Sequence, residues 1–314
     1  MEPLAHIISS ASRRPLRRRV AATGLLLAVV AATLTACSGG GSAGPPTSSR
    51  STTSSAPPTT TTTTTTTTSP ASSTTTTAPA PTSTAPATTA PTTTVAPAYP
   101  PLPAGLGGTE WNVIPTSSRV AALTFDAGAN ADGVARILAT LERDHVRATF
   151  FLTGNFVEQY PAEARAIVAA GMRVGDHSIS HPYFTELTDS EIRQQVLGAR
   201  DEIRAVTGAD PWPWFRFPYF DRDSRTIAVV NSVGFVPIGW TVDTLGWEGT
   251  TAGITVSSIV QRVLDYLRPG AIIVMHCGSN PEDHTTLDAD ALPSVISALR
   301  ARGYSFVTMD ALLG

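Results

Sequence analysis

The chain has 314 residues, is 42% hydrophobic and 15% charged, and carries a formal net charge of −3. All 22 basic residues are Arg, and no basic tract follows Arg19, which argues against nucleic acid as a partner. The length suffices for one sizeable core, and Cys37 and Cys277 are too few for a disulfide framework.

The N-terminus is a basic stretch, Arg13 to Arg19, then an apolar run from Val20 to Ala36, then Cys37, Ser38 and glycines. Basic, apolar, then small residues is the pattern of an export signal, and the run is short for a membrane-spanning helix. Leu34-Thr35-Ala36-Cys37 resembles a bacterial lipobox. That resemblance implies a signal peptide over 1–36, cleavage before Cys37, and acyl chains on Cys37 that anchor the protein to the outer face of the membrane. The other reading is an uncleaved anchor. Ser12-Arg13-Arg14 is a partial match to twin-arginine export, so the export route stays open.

Residues 37–101 are almost entirely Ser, Thr, Pro, Ala and Gly, with Thr unbroken from Thr59 to Thr68. Such a stretch has no apolar material to offset its ordering entropy, so it is expected to be a disordered tether. Composition changes near Leu102, and 102–314 is expected to fold. Strand-like runs lie at 119–125, 148–153, 173–176, 214–217, 235–242, 271–276 and 305–309. Helical spacing joins Val134, Ile137, Leu138 and Leu141; then Ile192, Val196, Ala199 and Ile203; then Ile259, Val263 and Leu267. Thr188 followed by Ser190-Glu191 predicts a helix start. The alternation predicts an α/β fold with parallel strands, whose functional groups gather at the C-terminal strand ends.

Chemistry-bearing residues sit at those ends. Asp126 closes Thr-Phe-Asp, and taken alone is an ordinary turn or cap residue. His177 and His181 are four apart, which on a helical turn suits one metal ion; the plainer reading of such a pair alone is two hydrogen-bonded structural rings. Asp176 is placed to bond an imidazole from behind. Arg216, within Trp214-Phe215-Arg216-Phe217-Pro218-Tyr219, needs a buried anionic partner; Asp126 is a natural candidate, and the other reading is a structural salt bridge elsewhere. His276 ends the most apolar strand. Trp247 suits either a core position or a sugar-stacking wall. Cys277 reads as an inert buried thiol, His284 as solvated, and Trp111, Trp212, Trp214 and Trp240 as structural.

Taken together and in order, Thr-Phe-Asp, His-Ser-Ile-Ser-His-Pro, Arg-Phe-Pro-Tyr, Val-Asp-Thr-Leu-Gly-Trp and Ile-Val-Met-His resemble the NodB-type polysaccharide deacetylases, carbohydrate esterase family four, over residues 118–310. The resemblance implies a distorted (β/α) barrel of about seven parallel strands that removes acetyl groups from sugars with a divalent cation, Zn before Co or Mn. It makes Asp126 the general base, His177 and His181 metal ligands, and Arg216 the group that orients Asp126. The Tyr219 amide becomes an oxyanion donor, Trp247 the acetyl-pocket wall, Asp243 the remaining acid of the fourth motif, and His276 the general acid. Two positions depart from the family: Ala127 replaces a second, metal-binding Asp, and Gly246 replaces the Asp before Trp247. Asn130 or Asp132 is the candidate source of the missing oxygen ligand.

The expected function is metal-dependent removal of N-acetyl groups from a cell-wall polysaccharide, above all peptidoglycan, by an extracytoplasmic lipid-anchored enzyme. The alternatives are a catalytically degenerate glycan-binding wall module, suggested by Ala127 and Gly246, and an O-acetyl esterase on acetylated polysaccharide.

Overall fold

The computed structural model describes residues 99–314. The expected signal peptide over 1–36, the expected lipidation at Cys37 and almost all of the expected tether lie outside the described residues. Among those described, no helix is long and apolar enough to cross a membrane.

Eight parallel strands form a curled, incomplete barrel. They are β1 (Val120–Ala127), β2 (Thr149–Leu152), β3 (Arg173–Asp176), β4 (Trp214–Phe215), β5 (Val236–Pro237), β6 (Val242–Asp243), β7 (Ala271–His276) and β8 (Ser305–Val307). Seven of them lie in the order β5-β4-β3-β2-β1-β7-β6, and β8 pairs with the start of β1. The central strands are buried on both faces, as parallel strands covered by helices must be. Along β1, Ala121, Leu123, Phe125 and Ala127 face an outer apolar layer, while Ala122 joins a second cluster with Phe151, Trp214 and Ile272.

The helices are α1 (Val134–Arg143), α2 (Gly154–Gln159), α3 (Pro161–Ala169), α4 (Asp189–Thr207), α5 (Ser224–Ser232), α6 (Val256–Asp265) and α7 (Leu287–Arg300). The predicted start of α4 is a complete capping box: Thr188 accepts from the Glu191 N–H, and the Glu191 carboxylate accepts from the Thr188 N–H. Such a cap contributes about 1 kcal/mol. Gly208, at φ 75°, ends the helix in the left-handed region. Ile192, Val196, Ala199 and Ile203 are all buried, as their spacing requires.

One expected element is different. The run 235–242 is two short strands, not one, and they stand at opposite ends of the sheet path. Residues 238–241 cross the opening between them. Gly239 explains why the run breaks. A β-carbon there would sit under 3 Å from the Asn112 and Glu110 side chains, so only glycine lets the N-terminal segment pack this close. That segment laces the opening: Trp111 N–H donates to Pro237 O, Gly239 N–H to Trp111 O, and Ile114 N–H to Gly270 O. The mouth of the half-barrel is therefore closed by backbone rather than by a ninth strand.

Candidate active site

A cleft of about 680 Å³ opens at the C-terminal strand ends and is lined by Asp126, His177, His181, Tyr219, Asp243, Trp247 and His276, together with Phe220 and Trp240. The topology brings together every site residue predicted within the folded region except Arg216, which lies beneath the cleft floor.

Arg216 is fully buried. Its Nη1 donates to Asp126 Oδ1 at 2.6 Å, its Nε to Ile238 O at 3.2 Å, and its Nη2 to Gly239 O at 3.2 Å. The guanidinium also lies 4.1 Å over the Phe151 ring. Both carbonyls belong to the segment that crosses the barrel opening, so closure of the barrel and placement of Arg216 are one event. Burial opposes ionisation of Asp126, but Arg216 first, then His177 and His276, hold its carboxyl below the usual range. The result is a carboxylate, oriented and ionised, beside open space.

His177 and His181 do meet, but not on a helix. They lie on a loop after β3 in which Ser178 and His181 take positive φ (70° and 59°). Their rings pack edge to face at 4.8 Å. His177 Nδ1 bonds the Arg216 carbonyl at 2.8 Å, so its Nε2 is left free. Asp176 does not serve as its partner: Oδ1 accepts from the Ser178 N–H, and Oδ2 is buried without a partner. Burial holds Asp176 well above the usual carboxyl range. Burial likewise lowers both imidazoles, His181 to about 3, so both are neutral at pH 7.

Neutral rings, with the Nε2 of His177 free, fit a divalent cation as nitrogen ligands. No protein carboxylate completes the set in the expected way. Ala127 is buried in the outer apolar layer. Asn130 and Asp132 are both engaged by Ser279: Asn130 Oδ1 accepts from its N–H at 2.8 Å, and Asp132 Oδ2 from its hydroxyl at 2.5 Å. Among the described residues, no group of three or more His, Cys, Asp and Glu side chains is placed to hold a metal ion. Asp126, whose Oδ2 lies 3.7 Å from His177 Nε2, is the nearest acid.

His276 faces this pair from β7. Burial disfavours its charged form, but Asp288, Asp126 and Asp243 outweigh that and raise its pKa. Trp247, half exposed, stands 6.2 Å from the His276 ring. Tyr219 stacks on Tyr183 at 4.3 Å and meets the His181 ring at 4.4 Å. Tyr219 and Phe220 are consecutive residues at positive φ (54° and 59°), and Leu245 has φ 62°. Bulky residues in the left-handed region cost about 1–2 kcal/mol each, so the cleft wall holds local strain.

Sequence reasoning missed Trp240 and Phe220, which pack at 4.3 Å and line the cleft. It also missed Asp288. That residue sits in the first turn of α7, where an acid reads as a favourable charge for the helix dipole, and only the fold shows it beside His276. Cys277 is buried, with its thiol pushed up in pKa, and His284 is exposed, both as expected.

The polysaccharide deacetylase family model matches residues 114–238. A peptidoglycan-N-acetylglucosamine deacetylase of Bacillus cereus is 31% identical over 198 residues, covering 63% of this chain and 70% of that protein. A chitooligosaccharide deacetylase of Azorhizobium caulinodans is 29% identical over 191 residues, 58% of this chain and 89% of that protein. Among solved structures, a family-four carbohydrate esterase pseudoenzyme from Bacillus anthracis superposes with a TM-score of 0.60 at 29% identity, over 67% of this chain and 70% of that one. A mutant of that pseudoenzyme with restored enzymatic activity superposes equally well, TM-score 0.60 at 30% identity, over 67% and 72% of the two chains. The chain belongs to the polysaccharide deacetylase family.

Proposed function

We propose that the protein is a hydrolase that removes N-acetyl groups from a cell-wall glycan, peptidoglycan before other acetylated polysaccharides, at the cleft between Asp126 and His276. One observation carries the reading: an ionised carboxylate held by a buried Arg and an imidazole raised in pKa face the same open cleft. These are the opposite acid–base poises that amide hydrolysis needs.

Asp126 takes the proton from the attacking water. Arg216 keeps the carboxylate ionised and aimed. The Tyr219 amide donates to the oxygen that gains charge, and His276 gives its proton to the departing sugar amine, which would otherwise leave poorly. The products are acetate and the free amine. His177 and His181 would hold a divalent cation, zinc before cobalt or manganese, which when bound adds Lewis-acid activation of the acetyl carbonyl. Trp247 and the Tyr183–Tyr219 stack offer aromatic faces to a sugar ring. The lipobox-like Cys37 and the long tether support an extracytoplasmic protein, anchored by lipid and reaching into the wall.

Ala127 favours a second reading, a glycan-binding module without turnover, and the likeness to a pseudoenzyme supports it. The test is incubation with N-acetylated glycan and with an O-acetylated glycan, each with added divalent metal. Acetate released from the amide substrate, and lost in His177→Ala, is the expected result. Glycan affinity without acetate from either substrate would establish the binding module. Acetate from the ester alone would establish an esterase.

A further inference from the structure

Gly246 precedes Trp247 in the loop at the cleft wall, and the space beside it is filled. A β-carbon on Gly246 would lie under 3.0 Å from Cγ, Oδ1 and Oδ2 of Asp288. The φ of Gly246 is not positive, so its backbone would accept a side chain. The Asp288 carboxylate forbids one. Asp288 is 2% exposed. Its Oδ1 accepts from the Thr244 hydroxyl at 2.7 Å, and its Oδ2 accepts from the His276 backbone N–H at 2.8 Å. The same Oδ2 lies 3.5 Å from His276 Nδ1, a buried ring nitrogen with no closer partner.

We propose that Asp288 is the positioning residue of His276: its carboxylate, entering from α7 into the volume that a side chain on residue 246 would fill, holds the imidazole with Nδ1 inward and Nε2 toward the cleft. A carboxylate facing Nδ1 selects the tautomer that carries its proton there, and it stabilises the imidazolium. Hydrogen bonds from the Thr244 hydroxyl and from the His276 backbone N–H hold this carboxylate, so it stays in place as the ring moves. A first-turn acid serving only its helix would need neither the burial nor the contacts with β7 and the Gly246 loop. The other charged or titratable groups facing His276 are Asp126 on β1, Asp243 on β6, and the neutral rings of His177 and His181 on the loop after β3. Of these, Asp288 alone is paired with Nδ1.

The catalytic meaning of this pairing rests on the deacetylase reading, but its test does not. Histidine side-chain NMR on the full chain reports the pKa and tautomer of His276 directly. In Asp288→Asn, which keeps the shape and one acceptor oxygen but removes the charge, the His276 pKa is expected to fall by about one unit or more. Its neutral form should lose the preference for Nδ1–H. If acetate release is measurable, kcat should fall ~10-fold or more with KM little changed. The reciprocal pair gives a second, independent readout. Gly246→Asp alone should lower the Tm by overcrowding, whereas Gly246→Asp combined with Asp288→Ala should recover it and return the His276 pKa toward wild type. A His276 pKa and tautomer unchanged in Asp288→Asn would overturn the proposal, as would additive stability effects in the pair. Absence of acetate release from the wild-type chain would overturn the deacetylase reading alone.

Discussion

Asp126 and Arg216 are 90 residues apart in the chain and meet at 2.6 Å at the floor of the cleft, with the Arg held from behind by the carbonyls of Ile238 and Gly239. On the proposed reading the pair couples the chemistry to closure of the barrel, because those carbonyls belong to the segment that crosses its opening. Removing one member of a buried pair leaves the other uncompensated. Arg216→Ala is therefore expected to cost about 3–5 kcal/mol in urea unfolding and to raise the Asp126 pKa. Asp126→Asn should cost less stability while abolishing acetate release. Equal stability losses in the two variants would contradict this account.

On the proposed reading, residue 127 sets how strongly His177 and His181 would hold a cation. Ala127→Asp puts a carboxylate at the end of β1, the strand that also carries Asp126. Without metal, the buried charge should lower the Tm. With zinc in excess, the Tm should rise above its metal-free value, since a ligand that binds only the folded state stabilises it. Isothermal titration should show tighter binding than in the wild type. An unchanged zinc affinity would mean that residue 127 cannot reach the imidazoles from the outer apolar layer.

Asp176 is a buried acid that the proposed chemistry does not use. Its folded pKa is raised, so the folded state keeps a proton that the unfolded state releases above the ordinary carboxyl range. The stability tied to that proton is fully present below pH ~4 and is lost as pH rises toward the folded pKa. Asp176→Asn removes the titration. It should be more stable than wild type at pH 7, with the difference vanishing near pH 3 in pH-dependent urea melts.

The opposite slope belongs to His181. Its folded pKa of about 3 lies below the unfolded value of 6.5. Between those limits the unfolded chain binds a proton that the folded chain refuses, so stability falls as pH drops from 6.5 toward 3. His181→Asn keeps a residue tolerant of the left-handed backbone at φ 59° and removes the titration. Its acid-side loss of stability should be shallower than that of the metal-free wild-type chain. Parallel curves would show that another group carries the acid transition.

The local patterns read well where one element acts alone. The capping box at Thr188, the buried stripe of α4, and the apolar runs that became β1, β2, β3 and β7 were all legible, because propensity and periodicity are properties of neighbouring residues. The run from 235 to 242 misled, because Gly239 breaks it for a contact with Glu110 and Asn112 that no window of sequence contains. The His177–His181 spacing pointed to one metal-sized cluster for the wrong local reason, since a left-handed loop rather than a helix brings the rings together. The imidazole partner expected in Asp176 is the Arg216 carbonyl instead. Backbone acceptors leave no residue-type signature, so that substitution could not be read in advance.

By itself, the sequence determined which chemical groups stand at the ends of the parallel strands and in what order, because strand-end positions follow from short-range alternation and the residues there are written in the chain. Only the tertiary structure decided that Asp288 stands against His276, that Arg216 hangs from the segment crossing the barrel mouth, and that Asn130 and Asp132 turn to Ser279. Those contacts depend on how distant elements curl and register against one another, and burial, which decides the charge of each group, exists only once they have done so.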